Sequence, residues 1–248
     1  MKEIRCLTVC WISAGVSSFI AGYLEKDSID KFIYIDIADQ HPDSMRFIKD
    51  CENILGREID ILRSKTYRNV EEAIMAMGNV QNLRTHFYPC TNYLKKRVRK
   101  EWEEKHSDCE ITYIWGFDAN EKRRAEKLED AMVKFKHKFP LIDRNLSKED
   151  AHAILARLGV KRPLMYDLGY NNNNCIGCVK GGMGYWNKIR IDFPEVFKKR
   201  AEMERSIGSR CLKEYWLDEL PRDKGRMSDE IMDDCSIYCV AALGGINE

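Results

Sequence analysis

The chain has 248 residues, of which 33% are charged, and a formal charge of +1. That length buries a sizeable core, as one large domain or as a domain with an appendage. With 41 basic against 40 acidic side chains there is no global pull toward nucleic acid or a membrane surface.

Residues 5–12 (RCLTVCWI) are apolar, rich in β-formers and bounded by Ser-Ala-Gly, which predicts a buried parallel strand. The stretch is too short and too soon interrupted by Ser13, Gly15 and Ser17 to read as a secretion signal. No apolar run is long enough to span a bilayer. Ten cysteines without an export signal argue against a disulfide framework. The expectation is a cytoplasmic protein with no membrane partner, whose thiols are reduced.

A helix over 16–24 starts on the Ser-Ala-Gly loop. A second strand over 32–37 runs into the polar segment Ala38-Asp39-Gln40-His41-Pro42. A helix over 43–55, a weak strand over 59–62 and a short helix over 70–77 follow. A long basic helix covers 91–105, with Thr91 as its cap. Its run Lys95, Lys96, Arg97, Arg99, Lys100 reads as a solvated face rather than a nucleic-acid contact. A strand over 111–115 ends at Gly116. Helices over 121–136 and 147–158 come next, the latter opening on the capping-box pattern Ser147-Lys148-Glu149-Asp150. From Tyr170 the chain turns rich in Asn, Gly and Cys, then helical over 194–207, then irregular. Strands alternating with helices predict an α/β fold, a doubly wound parallel sheet covered on both faces. The expected organisation is a nucleotide-binding α/β domain over 1–170, with a Cys-containing subregion over 171–248 packed on it.

Two places carry chemistry. The first is the loop Ser13-Ala14-Gly15-Val16-Ser17-Ser18. Its small residues let backbone N–H groups approach an anion, the serines add hydroxyls, and the following helix points its positive end at the same spot. Ligands of doubly wound sheets bind beyond the carboxyl ends of the strands. The second is the thiol set. Cys175 and Cys178 form CxxC after a four-Asn run, a spacing that suits one metal ion or a redox pair, with two buried small side chains as the plainer alternative. Cys235 and Cys239 form a further pair. Cys90 opens the basic helix, where the dipole favours a thiolate. Cys6, Cys10 and Cys51 sit on strand and helix faces and read as core.

The loop at Ser13–Ser18 resembles the SGGxDS pyrophosphate loop of the adenine nucleotide alpha-hydrolase superfamily. Asp36 with Pro42-Asp43-Ser44 resembles the D-T-G…P-E-T segment of the phosphoadenosine phosphosulfate (PAPS) reductase family within it. The stretch from Gly116 to Arg124 (GFDANEKRR) resembles that family's G-x-R-x-x-E-S-x-x-R, and Pro140-Leu141-Ile142-Asp143 with residues 163–170 its P-L…P…Y…G-Y approach to the cysteines. Together these span about residues 6–178 in the family's order. Three departures stand out: Ala14 for the second glycine, Ser17 for the aspartate and Asp118 for the arginine of G-x-R.

The resemblance implies a HUP-type fold and an adenine nucleotide (ATP, adenosine 5′-phosphosulfate or PAPS) held by Ser13, Ala14, Gly15, Val16, Ser17, Ser18, Asp36, Gly116, Arg123 and Arg124. It implies a [4Fe–4S] cluster, or alternatively zinc, on Cys90, Cys175 and Cys178. A fourth thiol would come from Cys211, Cys235 or Cys239, with Cys239 the assignment adopted. A loose match of residues 234–238 to E-C-G-L-H makes Cys235 either the nucleophile or a ligand. The implied activity is thiol-dependent reduction of an adenylyl sulfate, served by a thiol electron donor. The alternatives are an iron–sulfur-dependent, ATP-using enzyme that inserts sulfur into nucleic acid or a small molecule, and a non-catalytic nucleotide-binding module.

Overall fold

A computed structural model describes residues 5–81 and 87–230. The elements, in chain order, are β1 (Arg5–Ile12), α1 (Val16–Leu24), β2 (Lys31–Ile35), α2 (Asp43–Leu55), β3 (Asp60–Leu62), α3 (Val70–Met77) and α4 (Pro89–Thr91). A π-helical turn, Asn92–Lys96, joins α4 to α5 (Arg97–Lys105). Then come β4 (Cys109–Ile114), α6 (Lys122–Ala131), β5 (Lys136–Lys138), α7 (Pro140–Asp143), α8 (Lys148–Arg157), α9 (Leu164–Asp167), α10 (Met183–Asp192) and α11 (Pro194–Ile207).

The five strands form one parallel sheet in the order β3-β2-β1-β4-β5. Side chains alternate across a strand. Leu7, Val9 and Trp11 of β1 therefore join Ile33, Ile35, Ile111 and Tyr113 on one face, under α3, α5, α6, α10 and α11. Cys10, Ile12, Phe32, Tyr34 and Ile114 line the other face, under α1, α2 and α8. Both faces are covered, as the near-continuous apolar run of β1 requires. Among the described residues, the stretch from 171 to 230 shares the first core, through Cys175, Tyr185, Trp186, Phe197 and Leu217. The chain runs from β1 outward through β2 and β3, then returns to β4 on β1's other side. The strand order thus reverses between β1 and β4, which places a crevice at their carboxyl ends.

Several expectations are corrected. The helix expected over 121–136 stops at Ala131, and Lys136-His137-Lys138 forms the edge strand β5. An edge strand has one wet side, so it needs no apolar run. α10 arises where irregular chain was expected, because Gly181, Gly182 and Gly184 hide its apolar pattern. Pro89, not Thr91, opens the basic helix, with Tyr88 as its N-cap; proline suits the first helical position because its missing N–H is an orphan there anyway. Within that helix Lys95 and Arg99 are buried rather than solvated. Cys6 is exposed at the start of β1, whereas Cys10 and Cys51 are core thiols. Burial pushes the Cys10 thiol up to about 12, so it is inert at neutral pH. Among the described residues no helix is long and apolar enough to cross a membrane.

Candidate nucleotide cleft and thiol pocket

The loop after β1 sits at the crevice. Its first helical hydrogen bond runs from the Phe19 amide to the Gly15 carbonyl at 3.3 Å. The amides of Val16, Ser17 and Ser18 precede it and have no partner within the helix. No side chain caps α1 and no acidic residue stands in its first turn, so its positive end is not neutralised locally.

The serines brace the loop. Ser18 Oγ accepts the Ser13 N–H at 3.0 Å and donates to the Gly15 carbonyl at 2.9 Å. Ser13 Oγ accepts the Gly15 N–H at 3.3 Å. Ser18 is therefore committed to loop geometry, a role its hydroxyl alone did not announce. Ala14 is fully buried with φ of 58°, in the left-handed region. An L-residue there costs roughly 1–2 kcal/mol, and it persists only where surroundings enforce it. This is the position of the family loop's second glycine. From β4's side, Gly116 presses on the loop. A Cβ at Gly116 would stand 2.4 Å from Ser18 Cα and 2.5 Å from Ser18 N.

The remaining expected nucleotide residues are spread around the crevice. Asp36, just past β2, pairs with Arg63 at 2.6 Å. Arg123 is exposed. Arg124 is buried, pairs with Glu121 and lies 4.7 Å over the Phe117 ring. Burial drives the Glu121 carboxyl pKa up against the pull of Arg124. Asp118 accepts the Asn120 N–H at 2.8 Å and caps the turn there, so it has a local structural task where the family pattern has arginine. Lys148, at the start of α8, approaches the cleft from another side. It donates to the Asn171 carbonyl at 2.6 Å and to Asn172 Oδ1, and lies 5.9 Å from the Tyr166 ring centre. Tyr166 Oη in turn meets the Val16 N–H at 3.5 Å.

The Asn run ties the two sites together. Asn173 Nδ2 donates to the Ala14 carbonyl at 2.8 Å and to Ser44 Oγ at 3.0 Å. The Ala14 carbonyl only accepts, so the amide nitrogen must face it and the oxygen must face away. That oxygen is buried and takes no hydrogen bond among the described residues.

Two residues further on the CxxC turn begins. Gly177 has φ of 68°, the left-handed conformation that glycine adopts at least cost. Tyr185, only 2% exposed, braces the turn from within. Its hydroxyl accepts the Cys178 N–H at 2.8 Å and donates to the Cys175 carbonyl at 3.1 Å. Cys175 and Cys178 then meet Cys90 on one cavity of about 20 Å³, walled also by Ile37, Val70, Lys95 and Lys180. Lys180 Nζ donates to Thr91 Oγ1 at 2.9 Å.

The donor set fits soft-metal chemistry in kind: thiolates suit zinc or an iron–sulfur cluster. The room suits a single ion; a cluster would need the walls drawn back. Among the described residues, no group of three is already gathered at single-ion spacing. Cys211 is buried off this cavity, its amide on Glu204 Oε2 at 2.8 Å. Burial, then Glu204, push its thiol pKa well up. Cys235 and Cys239 lie outside the described residues. The described chain ends at Glu230, whose carboxylate takes the Gly182 and Gly184 N–H groups at 2.9 and 2.7 Å, beside the CxxC segment.

Lys148, Asp39 and Arg200 are site-forming residues that sequence reasoning missed. No local pattern marks any of them as part of a site, and only the tertiary fold shows their partners. No protein-family model matches the chain, and no curated protein matches it.

Proposed function

We propose that the chain binds an adenine nucleotide in the β1–β4 crevice and performs sulfur chemistry with adjacent thiols, as a PAPS reductase-like reductase of an adenylyl sulfate. One observation carries this: Cys90, Cys175 and Cys178, far apart in sequence, line one cavity, and the segment bearing two of them hydrogen-bonds the anion loop through Asn173. A nucleotide loop and a thiol group are thus built as one unit.

Further features support the nucleotide. The α1 N-terminus has no side-chain cap, and the loop before it is held with Ala14 at φ of 58°. The orphan Asn173 oxygen suits a donor, and adenosine offers ribose hydroxyls and an amino group. Leaving such an acceptor unmet costs about 1–3 kcal/mol. Ser17 stands where ATP-cleaving relatives carry aspartate, which favours an adenylyl sulfate over ATP as substrate.

In the proposed reaction the Cys235 thiolate attacks the sulfur of the adenylyl sulfate. An S–S bond forms, the S–O bond to the phosphate breaks, and the nucleotide monophosphate leaves with that electron pair. A dithiol donor then attacks the cysteine S-sulfonate, releases sulfite and is oxidised to its disulfide. Cys235 is five residues beyond Glu230, a reach of at most about 18 Å. Cys90, Cys175 and Cys178, with Cys239, would hold zinc or a [4Fe–4S] cluster, which would fix the CxxC segment beside the anion loop.

Calorimetric titration with ATP, adenosine 5′-phosphosulfate and PAPS tests the nucleotide, and anaerobic preparation with metal and sulfide analysis tests the centre. Sulfite release on mixing with a dithiol is the expected activity. Folded protein that binds none of the three nucleotides refutes the assignment.

A further inference from the structure

Arg200 of α11 and Asp39 of the β2–α2 connection form an ion pair with side-chain exposures of only 3% and 12%. The side-chain polar atoms of this pair, and the Asp39 carbonyl, engage one another or groups in and next to the thiol cavity. Asp39 Oδ1 accepts from Arg200 Nη2. Asp39 Oδ2 accepts the Val70 N–H at 2.7 Å, and Val70 is a wall residue. The Asp39 carbonyl accepts the Ile176 N–H at 2.8 Å, inside the CxxC turn. Arg200 Nε donates to the Gly177 carbonyl at 3.3 Å, in the same turn. Arg200 Nη1 lies 3.7 Å from a Glu71 oxygen, next to Val70.

A buried ion pair is weak evidence for stability, because desolvation offsets much of its Coulomb attraction. Here its atoms instead bond the two middle residues of the CxxC turn, at Ile176 N and Gly177 O. The planar guanidinium reaches the carboxylate and the carbonyl together, which a lysine ammonium cannot reproduce.

We infer that Asp39 and Arg200 are positioning residues, a clamp that fixes the Cys175–Cys178 turn against β2 and α3 and so sets where the two thiols stand over the cavity. The inference rests on Cys175 and Cys178 being the working thiols.

The test measures the turn directly, then its use. Under native conditions, iodoacetamide alkylation of each cysteine is followed by mass spectrometry in wild type, Asp39→Asn, Arg200→Met and Arg200→Lys. Cys10 and Cys51 report on the far side of the sheet. The clamp requires Cys175 and Cys178 to react at least roughly tenfold faster in Asp39→Asn and Arg200→Met, with Cys10 and Cys51 still protected. Arg200→Lys should fall between these and wild type. Unchanged rates at Cys175 and Cys178 overturn the inference. So does equal exposure of all four thiols, which would make the pair a global stability element. In parallel, cobalt(II) is titrated and its thiolate charge-transfer band recorded. Weaker cobalt affinity in the variants, with nucleotide affinity kept, extends the clamp's role to the centre. Wild type without that band refutes the metal reading alone, since alkylation still decides the clamp.

Discussion

Gly116 and Ser18 touch backbone to backbone: any Cβ on Gly116 would lie 2.4 Å from Ser18 Cα. This contact joins the end of β4 to the first turn of α1 across the switch point of the sheet. It makes the crevice floor a single packed surface contributed by two strands.

Gly116→Ala is therefore expected to push the anion loop out of place, since backbone cannot give way as a flexible side chain can. A loss of at least about 2 kcal/mol is expected, with nucleotide affinity reduced more than tenfold. Thermal denaturation and calorimetry measure both. An alanine variant with wild-type Tm and affinity would show that the contact is slack.

Ala14 is the second test of the loop. Ala14→Gly relieves left-handed strain but loosens the unfolded chain, so stability should stay within about 1 kcal/mol of wild type and nucleotide binding should persist. Ala14→Val places a branched side chain at φ of 58° in a fully buried site and should cost more than about 2 kcal/mol. Urea denaturation of the pair separates strain from size.

Asp43 predicts an acid-sensitive joint. Its carboxylate takes a forked contact from Arg46 at 2.6 and 2.9 Å and the Leu164 N–H at 2.8 Å, tying α2 to α9. The hydrogen bond from Arg46, above all, lowers its pKa below the ordinary aspartate value of 3.8. A depressed pKa means the stabilisation is complete above that ordinary value and fades as pH falls through the lower, folded one. Wild type should melt roughly 2–4 °C above Asp43→Asn at pH 6, for an effect of about 1 kcal/mol. The two curves should converge well below pH 4. A gap that is constant with pH would exclude ionisation as its source.

Tyr185→Phe removes the hydroxyl that spans Cys178 N–H and the Cys175 carbonyl inside the core. An orphaned buried amide costs about 1–3 kcal/mol. Lower stability is expected together with lower zinc or iron content after anaerobic loading. Metal analysis of the folded variant decides whether the brace serves the thiols or only the core.

Much of the frame was written in the order of residues. The apolar run of β1, the helices Val16–Leu24, Asp43–Leu55, Val70–Met77 and Pro194–Ile207, and the capping box at Ser147 depend on local period and local hydrogen bonds, so they could be read directly. The strand–loop–helix at residues 5–24 could be read too, because strand, small residues and helix follow one another without a gap. By contrast, β5 is a polar edge strand defined by its neighbour, and α10 carries glycines whose place is set by what packs on them. The sequence could propose Cys90 beside Cys175 and Cys178 only through resemblance; it is the folding of α4 against the CxxC turn that puts them on one cavity. The same holds for Lys95, which looked like one charge of a solvated run and is a buried wall. It holds also for Arg124, whose pairing with Glu121 and burial no local pattern announced. Local elements follow from short-range sterics and periodicity. A side chain's partner across the fold is fixed only when distant segments share one core, and that is information no single stretch of sequence contains.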